Sequence, residues 1–147
     1  MYEYMAETAE EELKRADHLV FVSLKYTRTG DVMKNAIKRM IVAFELVMLD
    51  FLEHKRKNKE IEEIPHTIKE RTTLVKGILG SQGRKYLSLY KLLKEVDKAE
   101  SHAVEEFRKN VTLKVNLSKP LDIKVDNLYE YLNITQEFVN FMRQKMK

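Results

Sequence analysis

The stretch Met40–Leu52, MIVAFELVMLDFL, is apolar almost all the way round once wound into a helix, with only Glu45 and Asp50 interrupting it. A helix of that kind does not tolerate solvent on most of its circumference, so it has to be packed on more than one side. Met33, Ala36, Ile37, Met40, Phe44, Val47, Met48 and Phe51 recur at helical spacing and form one wide stripe suited to a core. Val42, Leu46 and Leu49 fall on nearly the opposite side. A helix with two apolar faces is either central to its domain or shared with a second copy, and the second option predicts a homodimer through Val42, Leu46 and Leu49.

The rest of the chain supplies a domain around that helix. Its 147 residues suit one domain, able to bury roughly 70% of the surface of the unfolded chain. There is no cysteine, which excludes disulfides and thiolate metal sites. The opening MYEYMAETAEEEL carries acids where a secretory signal needs basic residues and then an apolar run, and nothing reads as a membrane span. A cytoplasmic location is therefore expected. The net charge of +4 is compatible with an acidic partner such as nucleic acid.

Helical periodicity predicts a first helix from Ala6 to Tyr26, with Ala9, Leu13, Ala16, Val20 and Leu24 inward. Glu10–Lys14 and Glu11–Arg15 stand at the spacing of helical ion pairs. TRTGD breaks the pattern, and Thr29 or Asp31 can cap the long second helix, which runs to about Lys57. After KRKNKEIEEIP, Thr67 and Glu70 form a T-x-x-E capping box ahead of a short third helix. Gly80 is suited to close it in the left-handed conformation. A fourth helix carries Tyr86, Leu89, Leu93 and Val96 and continues or kinks through DKAESHAVEEF to Phe107.

The tail changes period. Val111, Leu113, Val115 and Leu117 alternate with polar residues, as do Leu121, Ile123 and Val125, so a β-hairpin is expected at about 111–125. Asp126 or Asn127 then caps a last helix with Leu128, Tyr131, Leu132, Thr135, Phe138, Val139 and Met142 inward. The expected fold is mainly α, a single domain over 1–147: an antiparallel bundle of four to five helices with one small hairpin before the last.

Chemistry is harder to find. His18, His54, His66 and His102 belong to no HExxH pattern, and the pairs Asp50/His54, His66/Glu70 and His102/Glu106 are ordinary surface spacings. No metal site, cofactor or catalytic residue is assigned, because no serine stands in a nucleophile elbow and adjacent carboxylates on a helix point apart. The loop LGSQGRKY is similar to the GxxG loop of KH domains, where backbone and basic residues hold nucleotide phosphates. Alternatively Gly80 and Gly83 simply turn the chain between two helices. The strongest charge signal lies just there: Lys69, Arg71, Lys76, Arg84, Lys85, Lys91 and Lys94 against Glu70 alone. Such a run neutralises backbone phosphates or forms a solvated face; Tyr86 and Tyr90 offer rings for base stacking or belong to the core.

AEEELKRADHLVFVSL, the turn TRTGD, the apolar VMKNAIKRMIVAFELVMLDFL, then KYLSLYKLLKEVD and HAVEEFRKNVTLKV together resemble the HEPN (higher eukaryotes and prokaryotes nucleotide-binding) helical domains, archaeal members included. The resemblance spans roughly the whole chain. It implies a four- or five-helix bundle, frequently a homodimer, in RNA- or nucleotide-related work, often beside a nucleotidyltransferase partner. Active members carry an arginine followed four to six residues later by histidine. That motif is missing here, so no catalytic residue carries over. The leading expectation is a non-catalytic binding module for RNA or a protein partner, acting through the Lys69–Lys94 surface. The alternatives are a metal-independent ribonuclease using Arg108 with His102, a KH-like binder through GSQG, and a purely structural subunit.

Overall fold

A computed structural model describes residues 8–147. The expected start at Ala6 and the signal-peptide reading of the first residues fall outside that range. Thr8 instead caps helix α1 (Ala9–His18) through a capping box with Glu11. The helix continues without a break into a π-helical turn, Leu19–Ser23, and a last α-helical turn, Leu24–Tyr26. Then follow α2 (Gly30–Lys57), α3 (Ile68–Leu79), α4 (Arg84–Lys98), strands β1 (Ser101–Val104), β2 (Thr112–Val115) and β3 (Leu121–Lys124), and α5 (Val125–Lys145). The fold is mainly helical, with a small antiparallel sheet before the last helix.

The long apolar helix is central. α2 touches α1 and its π-helical turn, α3, α4, α5 and strands β1 and β2, so one chain covers it from several directions. Every residue of the stripe from Met33 to Phe51 is buried, and Ile41, Ala43 and Leu52 are buried beside it. Phe44 is the hub, its ring 4.9 Å from Phe138 and 5.4 Å from Tyr90. Val42, Leu46 and Leu49 are half-buried within the single chain. The two acids that interrupt the stretch tie α2 to its neighbours. Glu45 accepts hydrogen bonds from the Tyr90 hydroxyl at 2.6 Å and from Lys94 at 3.1 Å, and Asp50 pairs with Arg143 at 2.9 Å.

Several local expectations are corrected. The fourth helix stops at Lys98 and does not run to Phe107; residues 101–104 form β1, paired with β2 through Ala103 opposite Leu113. The hairpin is thus two strands of a three-stranded sheet ordered β1-β2-β3, and Val125 already belongs to α5. An isolated hairpin is marginal in water, and the extra strand together with burial of Leu113, Val115 and Ile123 explains how this one persists. Thr29, not Asp31, caps α2. Neither Asp126 nor Asn127 occupies the cap of α5; Asn127 reaches back from the first turn to accept the Lys124 backbone N–H at 2.9 Å. Gly80 has φ +59 but ψ −137, a conformation open essentially to glycine alone and not the left-handed helical one. Glu10 accepts two hydrogen bonds of 2.8 Å from Arg143 in α5 rather than pairing with Lys14.

The turn between α1 and α2 is clamped by the loop after β1. The Gly30 N–H donates to Glu106 at 2.9 Å, and the Phe107 N–H donates to the Arg28 carbonyl at 2.7 Å. Gly30 is required by this approach, because a Cβ there would lie 2.8 Å from the Ala103 Cβ. Among the described residues, no helix is long and apolar enough to cross a membrane.

Candidate nucleic-acid interface

The basic run predicted from sequence is divided by the fold. Lys69 and Lys76 share an exposed face of α3, and Arg84 and Lys91 share one of α4. The other three are engaged by the chain itself. Arg71 donates to the Pro65 carbonyl at 2.8 Å, which fixes the connector ahead of α3. Lys85 pairs with Glu137 at 3.1 Å, and that hydrogen bond holds its ammonium above the ordinary lysine pKa. Lys94 pairs with Glu45 at 3.1 Å.

Of the two readings open for Tyr86 and Tyr90, base stacking or core, both side chains take the core one. Tyr90 is buried, and burial followed by its bond to Glu45 pushes its hydroxyl pKa well up. Tyr86 is half-buried with its ring 5.4 Å from both Phe138 and Phe141. The GSQG loop is a single 3-10 turn, Gly80–Gly83, between α3 and α4. Its Gly83 is buried, and a Cβ there would meet the Leu79 side chain at 2.9 Å, so helix packing accounts for that glycine. Residues 59–65, where a KH-type first strand would stand, form turn and irregular backbone.

A different surface collects cations from distant parts of the sequence. A cleft of about 490 Å³ lies between the end of the first helix, the lead-in to β2 and the start of α5. Lys25 and Arg28 line it from the first helix and its exit, Lys109 from the loop before β2, and Lys124 from the end of β3; Asp126 is the acid among the lining residues. Among the described residues, none of these four cations is paired with a carboxylate. The wall is aromatic. Phe21 and Tyr129 stack at 4.9 Å with planes 8° apart, and Phe21 is still 49% exposed.

The π-helical turn sets this geometry. The Leu24 N–H bonds the Leu19 carbonyl, five residues back, so the helix is locally widened just where Phe21 leaves the buried stripe. Such widened turns recur at functional sites. Val20 and Leu24 stay buried on the inner side, while Phe21 and Val22 turn outward. In the segments that supply the cleft's cations, Tyr26 is 80% exposed and Phe107 is 72% exposed. Four cations in a recess with a flat aromatic wall can neutralise phosphates and receive a planar ring.

Sequence reasoning passed over this cleft. Its residues come from three separate stretches, 20–28, 109–111 and 124–129, so no local charge run marks them. A signal existed in Phe21, Val22 and Tyr26, large apolar or aromatic residues that fall off the buried stripe of the first helix. His102 and Arg108, the alternative ribonuclease pair, stand on β1 and in the following loop, both exposed. His102 and Glu106 do not share a helix, and Glu106 is bonded to Gly30. Among the described residues, no group of three or more metal-ligating side chains converges. No protein-family model, curated protein or solved structure matches the chain.

Proposed function

We propose that this chain is an RNA-binding module of HEPN-like type, an antiparallel helical bundle that takes RNA backbone into the cleft between the first helix and α5. The single observation that carries the reading is the convergence of Lys25, Arg28, Lys109 and Lys124 on one recess walled by Phe21 and Tyr129. Uncompensated cations held close together on a fixed scaffold raise the local potential more than the same number spread over a face. The α3–α4 run retains Lys69, Lys76, Arg84 and Lys91 as exposed charges, and none of them lines the cleft.

Fluorescence anisotropy with a labelled RNA tests the reading at two or more salt concentrations. Lys25→Glu with Arg28→Glu is expected to weaken binding at least tenfold near 100 mM salt. It also flattens the salt dependence, since every phosphate left without its cation takes about 0.7 off the slope of log K against log salt on a single strand. Arg84→Glu with Lys91→Glu is expected to change affinity less than threefold. The reverse ranking would return the site to the α3–α4 face. Wild-type protein that does not bind RNA even at low salt would end the RNA reading.

A further inference from the structure

The loop Glu105–Asn110 holds an unusual backbone. Glu105 has φ +57 and Phe107 has φ +66, two non-glycine residues in the left-handed region within three positions. For a bulky residue such as phenylalanine that conformation is a genuine outlier, and it persists only where surrounding bonds over-determine it. Those bonds are present. Glu106 accepts the Gly30 N–H at the start of α2, where a carboxylate is favoured by the helix dipole, and the Phe107 N–H is anchored on the Arg28 carbonyl. Within the loop, the Arg108 N–H bonds the Glu105 carbonyl and the Val111 N–H bonds the Arg108 carbonyl.

This construction does not bury the ring. Phe107, the largest apolar side chain of the loop, remains 72% exposed although its backbone is held in a disfavoured conformation. The clamp bonds account for the backbone, but the exposed ring itself adds no burial to the fold. The backbone that carries the ring is tied to the rim of the cleft: the Phe107 N–H is fixed to Arg28, which lines the cleft, and Lys109 two residues on lines it as well. Arg108 lies exposed between them.

We infer that Phe107 is a base-stacking platform that makes the cleft prefer single-stranded over duplex RNA. The inference rests on the proposed function above. A base in a duplex has both faces covered by its neighbours, whereas an unpaired base offers a free face to an aromatic ring. The cations of the cleft hold the phosphates of either form. Charge therefore sets affinity at this site and the ring sets strand choice. An acidic polypeptide would satisfy the cations but gain nothing from the ring.

The test compares a fluorescein-labelled oligouridine 12-mer, a 12-base-pair RNA duplex and polyglutamate in anisotropy titrations of the full chain. Wild type is expected to bind the single strand more tightly than the duplex. Phe107→Ala is expected to lose about tenfold on the single strand, within the range for removal of one stacked base, with little change on the duplex or in salt dependence. Phe107→Tyr retains single-strand affinity. Phe107→Gly, which relieves the backbone, loses the same tenfold while melting no lower than wild type. Phe107→Ala or Phe107→Gly binding the single strand like wild type, or losing strand and duplex equally, would overturn the inference and leave the cleft reading standing. Tighter binding to polyglutamate than to either RNA would overturn both.

Discussion

Arg143 shows how single residues bind this fold together across sequence distance. Its guanidinium spans Glu10 on α1 and Asp50 on α2, at 2.8 and 2.9 Å. The hydrogen bond from Arg143 holds the Glu10 carboxyl below its ordinary pKa near 4.5. A depressed carboxylate stabilises the fold at pH values above its unfolded pKa, and that contribution is lost as pH falls through the lower folded value. Glu10 is half-exposed, so solvent screening keeps the pair to well under about 1 kcal/mol. Glu10→Gln is thus expected to be slightly less stable than wild type at pH 7, with the difference shrinking as pH falls below about 4.5, read from urea unfolding at a series of pH values. Glu12 is a deeper case: it is 1% exposed and bonded to Arg15 at 2.6 Å and Arg39 at 3.0 Å. The i,i+4 rule predicted Glu10–Lys14 and Glu11–Arg15, whereas Glu11 serves the Thr8 cap and Arg15 reaches Glu12 at i,i+3. It could not foresee that Glu10 and Glu12 have partners on other helices, because those distances exist only after packing.

Some element ends follow local chemistry. Thr67 accepts the Glu70 N–H at 3.1 Å, as its T-x-x-E sequence predicts, although the Glu70 carboxylate accepts the Thr67 hydroxyl as well. The C-terminus of α2 closes with the Glu60 N–H on the Lys55 carbonyl and the Lys59 N–H on the Arg56 carbonyl. That is the bond pattern of a Schellman motif, whose left-handed position ordinarily takes glycine. Here Lys59 occupies it with φ +61. Because Lys59 is exposed, replacing it removes strain and little else. Lys59→Gly is expected to stabilise the chain by about 0.5–1 kcal/mol, the left-handed penalty less the entropy cost of glycine, measurable as an upward shift in Tm. β1 was illegible for the opposite reason. SHAV is only four residues long and follows a helix directly, so no alternation develops over a window long enough to register. Its pairing with β2 is a tertiary decision.

At the scale of the molecule, one core unites the helices and the sheet, with Phe44 at its centre. Phe44→Ala leaves a cavity between α2, α4 and α5 and is expected to cost about 3–5 kcal/mol, seen as a lower urea midpoint with a single cooperative transition. Survival of a partial transition would show that the sheet and α5 unfold apart from the rest. The amino-acid sequence by itself determined the long helical segments, the face each of them buries and that the Met40–Leu52 helix is covered on more than one side, but not the stretch after Lys98, read as helix and folded in part as β1. Those properties follow from side-chain periodicity, which is local and repeats many times along a helix. Only the tertiary structure decided that other elements of the same chain cover much of that helix, that Tyr90 is withdrawn from the surface, and that Lys25, Arg28, Lys109 and Lys124 meet. Convergence of single residues from separate segments carries no periodic trace, so it is written in the packing alone.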